Sequence, residues 1–213
     1  MRLDLHIHSK YSYDSFSDPL KIVKVAKRKG LDVISITDHN NMDVYEDFSH
    51  GHGSGVAVIP GMEIKTDGGD VTGLFLDEEV RSRSFFDVVD EIRDQDGIVV
   101  LPHPFRRKCD PNDLIGSVDL VEVINARSKN AENVDAWKLC ERFGKRPITG
   151  SDAHAYFEIG RAVTEIEGYF DDMDELKRIL LNSERNCYGK ETPFYISHGY
   201  SFITSRIKRW WEL

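Results

Sequence analysis

Apolar and polar positions alternate in two rhythms along this chain. At the start, Leu3, Leu5 and Ile7 alternate with Asp4, His6 and His8. A period of two marks a strand and sets both imidazoles on one face. Asp18-Pro19 then opens a helix, with Asp18 as N-cap and Pro19 in the first turn. Ile22, Val23 and Ala26 form its apolar stripe, Lys21, Lys24, Lys27 and Arg28 face water, and Gly30 ends it. Apolar runs predict further strands over 31–36, 56–60, 98–101, 120–124, 146–149 and 161–166. An extra strand is expected over 70–76, after the Gly68-Gly69 turn. Ser84 is placed to cap a helix, with Asp87 completing the capping pair and Phe85, Val88, Val89 and Ile92 at helical spacing. A helix over 131–143 carries Val134, Trp137 and Cys140 inward, and one over 174–181 carries Leu176, Ile179 and Leu180. A helical tail over about 197–213 holds Phe202, Ile203, Ile207, Trp210 and Trp211. Residues 41–55 read as a helical turn and a Gly-rich loop, with His50 and His52 facing solvent. Strands alternating with helices imply an α/β fold, a mostly parallel sheet with helices outside and seven strands of barrel type.

Composition narrows the class. The 213 residues fit one domain, 1–213, and 40% hydrophobic with 31% charged residues is ordinary for a globular chain. No run approaches the roughly 18 apolar residues of a membrane span, and the chain enters a strand with no leader pattern, so a cytoplasmic protein is expected. Cys109, Cys140 and Cys187 are odd in number and widely spaced, which forms no disulfide framework. A net charge of −9 argues against binding long nucleic acids, though cations held in a site would reverse the local field for an anionic substrate.

Candidate ligands follow the apolar strands repeatedly. His6 and His8 end the first, Asp38 and His39 follow the second, and Glu63 follows the third. His103 follows the 98–101 strand, and Asp152 and His154 follow the 146–149 strand. In parallel α/β architectures the carboxyl ends of strands form one rim, where sites are built. Imidazole with carboxylate and no thiolate suits Zn, Mn or Fe better than Mg or Ca. Eight such groups exceed the needs of one ion and suffice for two or three, with a carboxylate such as Glu63 able to serve two at once. Paired ions activate water and clamp the oxygens of an in-line displacement, which is phosphoester chemistry.

These segments resemble the PHP family, the polymerase and histidinol phosphatase superfamily. Asp4-Leu5-His6-Ile7-His8-Ser9, Ile36-Thr37-Asp38-His39-Asn40, Pro60-Gly61-Met62-Glu63, Leu101-Pro102-His103-Pro104-Phe105 and Gly150-Ser151-Asp152-Ala153-His154 resemble its motifs, across about residues 1–165. The resemblance implies a distorted seven-stranded (β/α)7 barrel of TIM-like type with a trinuclear site. It implies that His6, His8, Glu63 and Asp152 hold the first ion, Glu63 and His103 the second, and Asp14, His39 and His154 the third. Asp38 and Asp4 would then support the ligands, with Asp38 orienting an imidazole. One departure is Asn125, a poor ligand where some members place a His after the fifth strand. The short form is similar to stand-alone phosphoesterases.

The implied activity is hydrolysis of phosphate esters by a metal-bound hydroxide held by Glu63 and the ions. Arg106 is the foremost candidate for binding phosphate oxygens, with Arg161, Arg127 and Lys10 behind it. A phosphorylated small molecule, a nucleotide or a short oligonucleotide is the expected substrate. The alternatives are an amidohydrolase-like C–N hydrolase and a non-catalytic metal-binding module; against the latter, a structural zinc site closes with four ligands.

Overall fold

The computed structural model describes residues 1–48 and 53–211. His50 and His52 lie outside the described residues. Among the described residues nine strands form one sheet: β1 (Arg2–Ile7), β2 (Val33–Ile36), β3 (Ala57–Thr66), β4 (Gly69–Leu74), β5 (Ile98–Leu101), β6 (Leu120–Asn125), β7 (Arg146–Gly150), β8 (Ala162–Ile166) and β9 (Arg185–Gly189). Their order is β7-β6-β5-β4-β3-β2-β1-β8-β9. Five α-helices of the described residues surround it: α1 (Pro19–Arg28), α2 (Phe85–Asp94), α3 (Asn130–Arg142), α4 (Met173–Asn182) and α5 (Phe194–Trp211).

The sheet curls into a nearly closed barrel, and β1 is the seam. Its first residues pair antiparallel with β8, at Arg2–Glu165 and Leu3–Thr164. Its far end meets the segment after β7, through a parallel bridge between Ile7 and Ala153. The backbone bonds there are His8 N to Ala153 O at 2.8 Å and Ala153 N to His6 O at 3.3 Å. At the opposite end Thr149 N donates to Thr164 Oγ1, joining β7 to β8.

The expected seven-stranded, mostly parallel sheet is corrected. Only β1–β2, β2–β3, β5–β6 and β6–β7 pair in parallel; β3–β4, β4–β5, β1–β8 and β8–β9 are antiparallel. The turn between β3 and β4 is too short for a crossover helix, so a hairpin is the only solution. Gly69 sits there at φ +92°, a left-handed conformation that side chains resist. β3 extends to Thr66, so Glu63 lies within a strand and not beyond one. β9 escaped the pattern because Arg-Asn-Cys-Tyr-Gly carries no apolar run.

The simple alternation in β1 also breaks. Asp4 to Ile7 spans one residue more than its partner stretch Ile34 to Ile36, which is a bulge. Leu3 and Leu5 therefore pack with Val33, Ile59, Val100, Leu120 and Ile148. Ile7 instead joins Ile22, Val23, Ile34 and Ile36 in the layer beneath α1. α2 and α3 cover the other flank, over Ile64, Val99, Val121 and Val123.

Local signals were realised unevenly. Asp18 Oδ1 accepts from Lys21 N, the expected cap. Ser84 stands at the N-cap of α2 without a side-chain bond, and Asp67 Oδ1 accepts from Phe85 N in its place. Trp137 and Cys140 pack inward from α3, but Val134 is 43% exposed, since the helix meets the sheet along its Ala136, Leu139 and Cys140 face. Among the described residues no helix is long and apolar enough to cross a membrane.

Candidate metal centre

The strand ends bring the expected ligands into one buried cluster. His6, His8, Asp14, Glu63, His103, Asp152 and His154 are all buried, and His39 is partly so. Glu63 is the hub. Its Oε2 lies 3.4 Å from both His6 Nε2 and His8 Nε2 and 3.0 Å from His39 Nδ1, while Oε1 lies 2.9 Å from His103 Nε2. Asp152 Oδ1 faces His8 Nε2 at 3.4 Å and His6 Nε2 at 3.8 Å. Asp14 Oδ2 faces His154 Nε2 at 2.9 Å and His39 Nε2 at 3.7 Å. Three overlapping groups hold their ligand atoms within 4.8 Å of one another: His6–His8–Asp152, His6–Glu63–His103 and His8–His39–His154.

The polar atoms around the cluster fix which ring nitrogens face inward. His6 Nδ1 donates to Glu122 Oε1 at 3.0 Å, leaving Nε2 bare. His8 Nδ1 bonds Ser12 Oγ at 3.0 Å, and its Nε2 is also buried without a hydrogen-bond partner. His154 Nδ1 donates to the Asp152 carbonyl at 2.8 Å. His103 Nδ1 and Asp14 Oδ1 are likewise buried and unpaired. An uncompensated buried donor or acceptor is costly, so lone pairs converging on common points fit cations. Nitrogen and carboxylate donors without thiolate fit Zn, Mn or Fe.

With no cation bound, protons shared between imidazoles and carboxylates would balance the charge of the cluster. Burial opposes an imidazolium at His6, but Glu63, Glu122 and Asp152 outweigh it and hold the pKa well above the usual value. His39 is raised in the same way, chiefly by Glu63. Burial, with the neighbouring His154 and His39, lowers His8 to about 3. Glu63 and Asp152 are pulled well below the carboxylate range although burial pushes the other way, because His6 faces both. A cation entering this cluster replaces those protons.

Four supporting groups were invisible in the sequence pattern. Glu122 accepts from His6 Nδ1, His103 N and Asn125 Nδ2, the last two at 2.8 and 2.9 Å. Ser12 Oγ also accepts from His39 N at 3.0 Å. Glu158 Oε2 accepts from His154 N and Ala155 N. Asp70, beside Glu63 in the β3–β4 hairpin, comes within 4.0 Å of His103 Nε2, and burial with the Glu63 charge raises its pKa. Asp38 orients no imidazole directly. Its carboxylate accepts from Ser9 N and Ser9 Oγ, so it shapes the loop that carries Ser12. Asp4 accepts from Ser151 N and Gly160 N, and burial raises it to about 6.

The candidate substrate cations scatter. Arg106 reaches the cluster: its Nη1 is 2.7 Å from Asp152 Oδ2 and 3.4 Å from Asn125 Oδ1. Asn125 turns its amide donors to Glu122 and Asp152, so it supports carboxylates here. Lys10 lines a cavity of about 540 Å³ that opens beside His39, with Tyr11, Tyr13, Phe16, Asn40 and Lys208. Arg161 donates to Glu191 O, away from the cluster. Arg127 is buried against Glu158 and α5, where no substrate oxygen reaches it.

Comparison with known proteins gives consistent relatives. Residues 4–188 match the PHP domain family. The chain is 40% identical to the uncharacterized protein MJ1587 of Methanocaldococcus jannaschii over 147 residues, 59% of this chain and 82% of that one. It is 32% identical to the uncharacterized protein MJ0417 of the same organism over 174 residues, 76% and 69% of the two chains. Among solved structures it is similar to a two-domain protein from Bacteroides vulgatus described as containing a predicted PHP-like metal-dependent phosphoesterase. That likeness has a TM-score of 0.71 and 22% identity, covering 89% of this chain and 65% of the other.

Proposed function

The chain belongs to the PHP domain family, and from that premise we propose that it is a metal-dependent phosphoesterase acting on a small phosphate ester, a nucleotide or a short oligonucleotide. One observation carries this reading: a single carboxylate, Glu63, is shared by His6, His8, His39 and His103, whose neighbours Asp152 and His154 complete three overlapping ligand groups, with Asp14 facing His39 and His154. His6, His8, Glu63 and Asp152 would hold one ion, Glu63 and His103 a second, and Asp14, His39 and His154 a third. Ions so held would supply an activated water and neutralise charge on the phosphoryl oxygens.

The chain's own residues do the remaining work. Asp152 gives Oδ1 to the cluster and Oδ2 to Arg106, so the guanidinium stands at the edge of the ligand set. From there its fork can exchange the Asn125 contact for phosphate oxygens, a bidentate geometry that Lys does not reproduce. Glu122 and Ser12 keep the ring nitrogens of His6 and His8 correctly protonated on their outer sides. The cavity beside His39 offers Lys10 to an anionic group and Tyr13 and Phe16 to an apolar or ring-bearing leaving group. Tyr13, 59% exposed, already stacks on His39 at 5.0 Å.

The test is a panel of aryl phosphates, phosphodiesters, nucleotides, short oligonucleotides and amides, run with added Mn, Zn or Fe beside elemental analysis. Metal-stimulated phosphate release is the expected result. Cleavage of amides alone, or metal uptake with no hydrolysis of any ester, rejects the proposal.

A further inference from the structure

The family match ends at residue 188, yet α5 begins at Phe194 and returns to the metal cluster. The helix is turned opposite to the usual sense. Ser197, Ser201, Thr204 and Lys208, spaced by four, three and four, form one helical stripe. Ser197 and Thr204 are fully buried, whereas Phe202, Ile203 and Trp210 are 61%, 59% and 73% exposed. A helix docked by its apolar face needs no such stripe. Here polar bonds hold it, and they lead to specific ligands.

Two separate routes run from the stripe. Arg127 donates to Ser201 Oγ at 2.9 Å and to Ser197 O at 3.0 Å. The same guanidinium grips Glu158, whose Oε2 accepts from His154 N. At the other end Lys208 Nζ donates to the carbonyls of Lys10 and Ser12. Ser12 Oγ in turn bonds His8 Nδ1 and accepts from His39 N. The two routes end on His8, His39 and His154, which form one of the three ligand groups. The other two groups share His6, which rests on Glu122 and which α5 does not touch through any of these bonds; His8 alone links one of them to the α5 side.

We propose that the C-terminal helix is a positioning element for the ion site of Asp14, His39 and His154, with Lys208 and the Arg127–Ser201 contact as its two anchors, and with His8, which Ser12 also holds, linking it to the first ion. The inference rests on the metal reading above and adds that residues beyond the family match set the affinity of one ion out of the set. Lys208 acts through Ser12 and is a positioning residue.

The experiment compares native full-length protein with Lys208→Met, Lys208→Arg and Ser201→Ala, with Arg209→Met as a control on an exposed position of the same helix. Ions are counted by elemental analysis after dialysis, and affinity is read by chelator competition with Mn and Zn. Lys208→Met is expected to weaken the ion of Asp14, His39 and His154 by about ten- to a hundredfold, the cost of losing an outer support, with a smaller effect on the ion that shares His8 and none on the ion of Glu63 and His103. Lys208→Arg should recover part of the loss, Ser201→Ala should weaken the same ion, and Arg209→Met should match native protein. A merely structural helix would lower the melting temperature and leave every affinity unchanged, or weaken all ions alike; either result overturns the proposal. If Lys208→Met does not fold, Ser201→Ala alone decides by the same criterion. Native protein that takes up no ion rejects the metal reading itself, and the inference with it.

Discussion

Glu122→Gln is the substitution that most directly probes how the cluster is held. Glu122 is 2% exposed and accepts three N–H groups, with Oε1 serving His6 Nδ1 and Oε2 serving both His103 N and Asn125 Nδ2. Glutamine has one acceptor oxygen and one amide nitrogen. Keeping the oxygen on the side of His103 and Asn125 preserves two bonds and points the NH2 at His6 Nδ1. That ring must then accept at Nδ1 and carry its proton on Nε2, the atom aimed at Glu63 and Asp152. A protonated Nε2 has no lone pair for a metal. The loss is one charge-assisted hydrogen bond plus the wrong tautomer, about 1.5–3 kcal/mol, and about 10- to 100-fold in metal affinity.

The assay is chelator competition with elemental analysis, paired with long-range 15N–1H correlation of the histidine rings in the metal-free protein at a pH above the raised His6 value, where the ring is neutral and has a tautomer to report. The expected outcome is a folded protein whose His6 is protonated at Nε2 and whose ions dissociate more readily. A variant that keeps His6 Nδ1–H and native affinity refutes the reasoning, because the carboxylate would then not be what selects the tautomer.

Four further outcomes are expected. Glu63→Gln should lose more bound metal and more turnover than Asp14→Asn, since Glu63 contacts four imidazoles and Asp14 two; equal metal content and rate would contradict this. Arg106→Ala should keep its ions and fold but lose phosphate-ester turnover by about 10- to 100-fold, with Arg106→Lys recovering only part; unchanged rates and unchanged inhibition by inorganic phosphate would show that Arg106 serves Asp152 alone. Gly150→Ala should cost about 1–3 kcal/mol of stability by overpacking, because a Cβ there would stand 2.1 Å from Glu122 Oε1 and 2.3 Å from His6 Cβ; a native melting temperature and native metal affinity would refute that. Finally, the raised His6 and His39 stabilise the metal-free fold fully below about 6.5 and lose that contribution as pH rises through their higher folded values, while the depressed Glu63 and Asp152 lose theirs in acid. Chelator-treated protein should therefore melt at lower temperature as pH rises above about 6.5, and metal-loaded protein should not; parallel melting profiles would contradict the exchange of protons for ions.

What the sequence disclosed and what it concealed divide along physical lines. His6 and His8 were legible because a two-residue period puts them on one face whatever the rest of the chain does. The Asp18-Pro19 start of α1 was legible because a cap is a local bond. Glu122 was not: it sits in an apolar strand, and its partner His6 is 116 residues away. Strand direction was equally hidden, since β4 and β8 have apolar patterns like those of their parallel neighbours, and direction is set by connection lengths and closure. Arg127 shows the opposite error. A cation just after a strand has the right position for substrate, and only Glu158 and α5, 31 and about 70 residues further on, turn it into a buried strut.

The bonds also explain how a barrel that is half antiparallel still gathers its ligands on one rim. His103 and Asp152 take φ of +28° and +52°, a left-handed region that costs a non-glycine residue about 1–3 kcal/mol. Each is held there from outside its own strand. Glu122 fastens the His103 backbone, and Arg106 and Asn125 reach the Asp152 carboxylate. The strained residues follow β5 and β7, and the groups that restrain them come from β6 between those strands and from the loop after β5. That flank of the barrel is parallel, so its strand ends point the same way and one carboxylate can serve two neighbours. On the other flank the hairpin reverses β4, and only the segment after β2 runs parallel to Glu63, through the bridge to His39. Glu63 lies inside the long strand β3, fixed between that bridge and the regular ladder to β4. Each flank thus uses the support its strand direction makes available, and the two meet at the Glu63–His103 contact of 2.9 Å.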